Sequence, residues 1–124
     1  MEHLNELSYK ILGCAYKVHS ALGPGLLEST YETCLEFELM NSGFDVVRQK
    51  ALPVVYNGVK LDAGYRIDLL IEHQVILEIK SVDALAPIHE AQLLSYLKLA
   101  KKRLGLLINF NVEHLKEGIK RRVL

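Results

Sequence analysis

Hydrophobic residues in the first forty positions recur every three or four residues, which predicts two amphipathic helices. The first helix covers residues 4–22 and ends at Gly23-Pro24-Gly25, because glycine and proline interrupt helical backbone. The second runs from about residue 26 to residue 40. Gly43 then suits the left-handed cap that commonly ends a helix.

The middle of the chain changes to short apolar segments, which predict antiparallel strands. Segments 45–56 and 59–63 flank Asn57-Gly58, a strong hairpin signal because both turn positions favour positive φ. Residues 65–71 and 75–81 extend this hairpin into a meander of four strands.

A helix and a buried strand are expected in the last third. Pro87 can begin a helix over about 87–102, and Leu104–Phe110 is a compact apolar run typical of a buried strand. Residues 113–123 fit a short helix or an edge strand, with alternation in 118–123 favouring the strand. The order α-α-β-β-β-β-α-β predicts an α+β fold or mixed-sheet sandwich, as a single domain over residues 1–124.

Three ionisable residues interrupt the predicted strands where a plain hairpin carries valine or isoleucine: Asp68, Glu78 and Lys80. A turn centred on His73 places Asp68 opposite Glu78, and alternation puts Lys80 on the face of Glu78. Two facing carboxylates repel each other, and a divalent cation between them would remove that cost. A one-residue slip in register would send Asp68 to the other face.

Hard cations such as Mg²⁺ prefer carboxylate and carbonyl oxygens. Asp68, Glu78 and the backbone carbonyl of Ile79 would supply them, and Lys80 could orient or deprotonate a water or offset charge on a phosphate. The alternative is a surface face with ordinary cross-strand neighbours, Arg66 beside Lys80 and Asp68 beside Glu78. The strands are otherwise apolar, where charges are rare unless paired or coordinating, so the cation site is favoured.

The charge distribution permits a phosphate-binding surface without requiring one. Net charge is zero, which argues against a generic nucleic-acid binder, but residues 1–45 carry a net −5 and residues 98–124 a net +6. A solvated helix end and a charged edge strand explain the basic part equally well.

Membrane and zinc chemistry are not indicated. No apolar run approaches the roughly 20 residues that span a bilayer, and residues 1–20 lack a signal-peptide pattern. Cys14 and Cys34 lack metal-type spacing and are expected to be buried, reduced thiols, which points to a cytoplasmic protein. No cluster of histidine and cysteine predicts zinc.

An acid on one strand followed about ten residues later by Glu-x-Lys resembles the PD-(D/E)XK nuclease superfamily. The motif here is Ile67-Asp68 with Glu78-Ile79-Lys80, without the proline. Upstream, Gly25-Leu26-Leu27-Glu28-Ser29-Thr30-Tyr31 matches the GxxExxY signature of a small bacterial and archaeal group in that superfamily. Downstream, Gln92-Leu93-Leu94-Ser95-Tyr96 is similar to the Gln-x-x-x-Tyr helix of its exonuclease-like branches.

The resemblance implies a restriction-endonuclease-like αβββαβ core, with an extra N-terminal helix here, and phosphodiester hydrolysis dependent on Mg²⁺ or Mn²⁺. Carried over by position, Asp68 and Glu78 are the principal metal ligands and Lys80 is the catalytic lysine. The resemblance also implies that Glu28 reaches the metal directly or through water. A first-turn acid favoured by the helix dipole is the alternative for Glu28.

Four outer residues have weaker assignments. The resemblance implies that Gln92 and Tyr96 contact substrate or hold the site in place. The alternative is that both residues lie on an ordinary helix surface. Tyr31 is a candidate substrate contact or a core residue, and His19 could approach the site near Glu28.

The resulting prediction is a metal-dependent nuclease, with DNA favoured over RNA only because the superfamily favours it. The second hypothesis is a non-catalytic nucleic-acid-binding or assembly module, which at this size would need a partner chain or a homodimer to grip nucleic acid. A structural domain whose strand charges form a salt-bridge net is the third.

Overall fold

The computed structural model describes residues 1–124 and contains three α-helices. The two N-terminal helices are confirmed as α1, Glu2–Leu22, and α2, Glu28–Asn41. The glycine expected at the cap of α2, Gly43, has φ 87°. The third helix, α3, spans Pro87–Ala100 and ends where Lys101 adopts the left-handed conformation.

Five of the seven strands form one mixed sheet, in the order β1-β4-β5-β6-β7. Only β5 and β6 are parallel, and α3 connects them as a crossover. The bounds of the seven strands are β1 Val46–Ala51, β2 Val54–Tyr56, β3 Val59–Leu61, β4 Arg66–Ile71, β5 Val75–Lys80, β6 Leu104–Asn109 and β7 Ile119–Val123.

The predicted continuous meander is wrong in one respect. Segment 45–56 is two strands, and β2 pairs only with β3, as a hairpin separate from the main sheet. Pro53 lies at the division, where it has no N–H to donate to a ladder. β1 therefore pairs directly with β4. The turn itself is confirmed, with φ 51° at Asn57 and 74° at Gly58.

The sheet separates two hydrophobic cores. One packs α1 and α2 against side chains such as Leu69, Leu77 and Leu106. The other packs α3, through Leu93 and Tyr96, against the opposite face. Since β2 and β3 form an insertion, the order α2-β1-β4-β5-α3-β6 is the predicted αβββαβ arrangement, preceded by α1.

The C-terminal segment combines both elements that the sequence allowed. A short 3₁₀ helix, Leu115–Gly118, leads into β7, which is one of the two edge strands of the sheet. Cys14 is buried, Cys34 is partly buried, and both are free thiols. No helix has the length and apolar character needed to cross a membrane.

Candidate active site

Asp68 and Glu78 meet where β4 and β5 separate. The β4–β5 ladder has the predicted register, with Leu69 opposite Leu77 as its last pair. Beyond that pair, the two carboxylates accept hydrogen bonds from backbone N–H groups in place of backbone carbonyls. The Asp68 N–H donates to Glu78 Oε2 at 2.9 Å, and the Ile79 N–H donates to Asp68 Oδ2 at 2.8 Å. The two acids therefore lie side by side in the gap between the strands.

Burial makes this pair electrostatically costly. Glu78 is only 4% exposed, and burial, with the negative charge of Asp68 added, raises its pKa to about 8. Burial also raises the pKa of Asp68 to about 6, against the lowering effect of the Ile79 hydrogen bond. Glu32 adds a further negative charge that raises both values. Such a pair favours either a proton or a cation.

A hydrogen-bond network connects the pair to α2. The Glu32 carboxylate, 5% exposed, accepts from Gln49 Nε2 at 3.0 and 3.1 Å and from Arg48 Nε at 2.6 Å. The same Gln49 nitrogen lies 3.2 Å from Asp68 Oδ1 as a donor. Gln49 thus bridges Glu32 and Asp68, and Arg48 forms an ion pair with Glu32.

The backbone of Gln49 is strained. Its φ is 54°, and the β1–β4 ladder is intact on either side but skips Gln49 and Asp68. A left-handed residue other than glycine costs on the order of 1 kcal/mol, and such strain is concentrated at functional sites. In this conformation the Gln49 side chain donates hydrogen bonds to the carboxylates of Glu32 and Asp68.

Sequence reasoning missed this network. Glu32 lies four residues after Glu28 and therefore follows it on one helix face, so the helix pattern alone could have pointed to either acid. The polar sequence Arg48-Gln49-Lys50 inside a predicted strand was the second available signal.

Lys80 and Ile79 lie beside the pair. The Lys80 side chain is partly buried and forms no ion pair, yet its charge lowers the pKa of both Asp68 and Glu78. The N–H and C=O of a strand residue point to the same neighbouring strand. Because the Ile79 N–H donates to Asp68, the Ile79 carbonyl is directed into the gap between β4 and β5.

Gln92 and Tyr96 form the wall of α3 that faces this region. Gln92 Nε2 donates to the Tyr96 hydroxyl at 3.1 Å. Burial raises the pKa of Tyr96, and the negative charges of Glu78 and Asp68 raise it further. Lys80, Gln92 and Tyr96 line one groove of about 650 Å³.

The remaining predicted residues lie at the loop between α1 and α2. Glu28 is exposed at the first turn of α2, and its side chain forms no hydrogen bond or ion pair. The fully buried Tyr31 donates from its hydroxyl to the Gly23 carbonyl at 2.5 Å, and its ring stacks on Phe110 at 4.7 Å. His19 Nε2 lies 2.7 Å from the Val112 carbonyl. None of the three residues hydrogen-bonds to Asp68 or Glu78, and their assigned roles stay predictions.

A family model described as the PD-(D/E)XK nuclease superfamily matches residues 5–122. The chain belongs to this superfamily. Its five-stranded mixed sheet flanked by helices confirms the predicted restriction-endonuclease-like fold class. No curated protein and no solved structure matches the chain. PD-(D/E)XK nucleases generally use divalent metals, and the superfamily implies a nucleic-acid substrate.

The donor set fits a hard divalent cation that retains water. No three side chains of histidine, cysteine, aspartate or glutamate group closely enough to hold a metal ion by themselves. Mg²⁺ characteristically uses one or two carboxylates and keeps several water ligands. Asp68, Glu78 and the inward-directed Ile79 carbonyl match that chemistry, whereas a structural zinc site would need four protein ligands.

Proposed function

We propose that this PD-(D/E)XK protein is a nuclease that hydrolyses phosphodiester bonds with Mg²⁺ or Mn²⁺ held by Asp68, Glu78 and the Ile79 carbonyl. The observation that carries the proposal is the buried acid pair in the gap between β4 and β5, where both pKa values are raised. A divalent ion held by these residues would supply Lewis-acid polarisation of the phosphate and a lower pKa for a bound water.

The residues around the pair have separate tasks. Asp68 and Glu78 must be deprotonated to act as ligands. Lys80, whose ammonium has no ion-pair partner, would lie against the scissile phosphate, offset its developing charge and assist the attacking water. Gln92 and Tyr96 would orient the substrate from α3.

The finer assignments rest on the sequence motif. We place the chain in the GxxExxY group because of Gly25, Glu28 and Tyr31. In this proposal Glu28 reaches the metal directly or through water, and the Tyr31 hydroxyl supports the loop at residues 23–26. His19 contacts the substrate near Glu28. DNA is preferred to RNA as the substrate.

A cleavage assay tests the proposal. Purified protein is incubated with single-stranded and duplex DNA and with RNA, with Mn²⁺ or with a chelator. Wild type should cleave at least one of these substrates only when Mn²⁺ is present. Glu78→Gln and Lys80→Ala should each lose about 100-fold or more in rate, as expected when a group acting in the transition state is removed.

Matched controls are available on the same chain. Glu113→Gln and Lys116→Ala alter exposed residues without ion pairs and should retain wild-type rates. Mn²⁺ binding without cleavage of any substrate would instead favour the non-catalytic module. Cleavage that persists in Glu78→Gln would assign the activity to a contaminant or to another site.

A further inference from the structure

Two grooves adjoin along α3. The first, the site groove, is the 650 Å³ groove that contains Lys80, Gln92 and Tyr96. The second has a volume of about 550 Å³ and lies between the C-terminal end of α3 and the β2–β3 hairpin. Leu99 lines both grooves, so they form neighbouring parts of one surface. We call the second the lysine groove, after Lys50, Lys60, Lys101 and Lys102 in its lining.

The lysine groove carries unbalanced positive charge. Its lining includes no aspartate or glutamate, and none of its four lysines forms an ion pair. These lysines come from β1, β3 and the residues that follow α3, so the fold gathers them from distant parts of a chain with zero net charge. An unpaired group of cations in one groove is complementary to a polyanion.

Other basic residues of the C-terminal part are used differently. Arg122 forms an ion pair with Glu90 at 2.7 Å, and Arg121 bonds to Asn5 of α1. The basic tract from residue 98 to residue 122 is therefore not one surface. Lys101 and Lys102 of this tract line the lysine groove. Arg121 and Arg122 instead connect β7 to α1 and α3.

The site groove has walls suited to an unpaired base. Tyr65 is 43% exposed and contacts Tyr96 edge-on at 5.9 Å, and Ile88 is 69% exposed. Lys80 is the only lysine or arginine in the lining. The volume lies within the range of roughly 300–1,000 Å³ that is usual for small-ligand pockets. A base inside a duplex hides its faces by stacking, whereas an unpaired base can stack on an aromatic side chain.

We propose that the two grooves together bind one unpaired strand of nucleic acid. A base lies against Tyr65, its phosphate lies beside Lys80, and the continuing sugar–phosphate backbone follows α3 into the lysine groove. Gln92 and Lys101 are nine positions apart, about 14 Å along a helix axis, which a short single-stranded segment spans. The inference names the substrate class of the proposed nuclease and rests on that function.

Binding in metal-free buffer tests the lysine groove without requiring cleavage. Fluorescence anisotropy is measured with labelled oligodeoxythymidine and oligouridine, and with a DNA duplex of equal length, over a range of salt concentrations. Wild type should bind the single strands more tightly than the duplex. In Lys101→Ala/Lys102→Ala the slope of log K against log salt should flatten by about 1.4, since each lost single-strand phosphate contact removes about 0.7.

The control is Lys116→Ala/Lys120→Ala, which removes two exposed lysines outside the groove. Its salt slope should equal that of wild type. An equal flattening in both double variants, or tighter binding of the duplex, would overturn the proposal. Retained single-strand binding with no Mn²⁺-dependent cleavage would support the groove and refute the nuclease, so the two failures are distinguishable.

Tyr65 provides an independent test of the site groove. Tyr65→Ala should weaken single-strand binding roughly tenfold, while Tyr65→Phe, which keeps the aromatic face, should bind like wild type. Duplex binding should be insensitive to either change. Wild-type affinity in Tyr65→Ala would refute the placement of a base at this position.

Discussion

Asp68 and Glu78 each accept a hydrogen bond from the backbone of the other's strand. This arrangement satisfies two N–H groups that would otherwise be orphaned where the ladder ends, and it holds the two carboxylates together. The same contacts do not remove the electrostatic cost, because both pKa values stay above their ordinary range. The pair therefore costs stability when both acids are ionised, and the proposed cation would offset that cost.

The raised pKa values predict how stability depends on pH. Between the ordinary pKa and the folded-state pKa of each acid, the folded state binds more protons, so the free energy of unfolding falls as pH rises. The stabilisation that comes from protonating the two acids is complete below about pH 4. It is lost as pH rises through about 6 for Asp68 and about 8 for Glu78.

In chelator, Glu78→Gln should match wild type near pH 5 and exceed it near pH 8.5 by at least about 1 kcal/mol, or a few degrees in Tm. Thermal unfolding followed by circular dichroism measures the difference. Glu113→Gln should parallel wild type across the range. Parallel curves for wild type and Glu78→Gln would show that Glu78 has an ordinary pKa.

Gln49 is predicted to position Asp68 for metal binding. Gln49→Ala removes the donor that joins Asp68 to Glu32, and it should lower Mn²⁺ affinity by about 10- to 100-fold, as is typical for partners of metal ligands. Gln74→Ala, on the β4–β5 turn, is the matched control. Isothermal calorimetry measures the affinities.

A further variant separates the amide from the backbone strain. Gln49→Gly should be at least as stable as Gln49→Ala, because glycine tolerates a φ of 54°. It should bind Mn²⁺ as weakly as Gln49→Ala does. Wild-type affinity in both variants would limit Gln49 to a structural role.

At the scale of the elements, α3 packs closely on the sheet at Gly105 of β6. A Cβ on Gly105 of β6 would lie 2.7 Å from Leu93 Cδ1, and the Leu93 side chain is fully buried. Gly105→Ala should therefore destabilise the protein by about 1–3 kcal/mol. The penalty should shrink in a Leu93→Val background, where the clashing carbon is gone. Urea denaturation measures both, and an equal penalty in the two backgrounds would contradict this packing.

The elements differ in how well the sequence predicts them. Local signals were sufficient for the β4–β5 register and the Asn57-Gly58 turn, because both depend on residues close in the chain. The hairpin insertion was missed because Pro53 allows either a strand with a kink or a new strand. Pairing of β1 with β4 is non-local and leaves no comparable signal.

At the scale of the whole molecule, the site is built from three segments that are distant in sequence. They are α2 with Glu32, β1 with Gln49, and the β4–β5 pair with the two acids. Asp68, Glu78 and Lys80 were detectable because charges stand out in apolar strands. The hydrogen bond from Gln49 to Glu32 could not be predicted from the sequence. It depends on how α2 packs against β1 and on a positive φ that glutamine rarely adopts. The lysine groove likewise exists only after β1, the hairpin and the end of α3 come together.

If the proposed metal centre is right, Mn²⁺ must displace protons from the buried acid pair when it binds, and that proton release can be measured. Mn²⁺ is titrated into the metal-free protein near pH 7, by calorimetry in two buffers of different ionisation enthalpy. Wild type should bind Mn²⁺ and release close to one proton, because Glu78 with a pKa of about 8 is largely protonated at that pH. Glu78→Gln should lose both the affinity and the proton release, and Glu113→Gln should lose neither. Absence of Mn²⁺ binding by wild type, or unchanged binding by Glu78→Gln, would contradict the proposed metal centre.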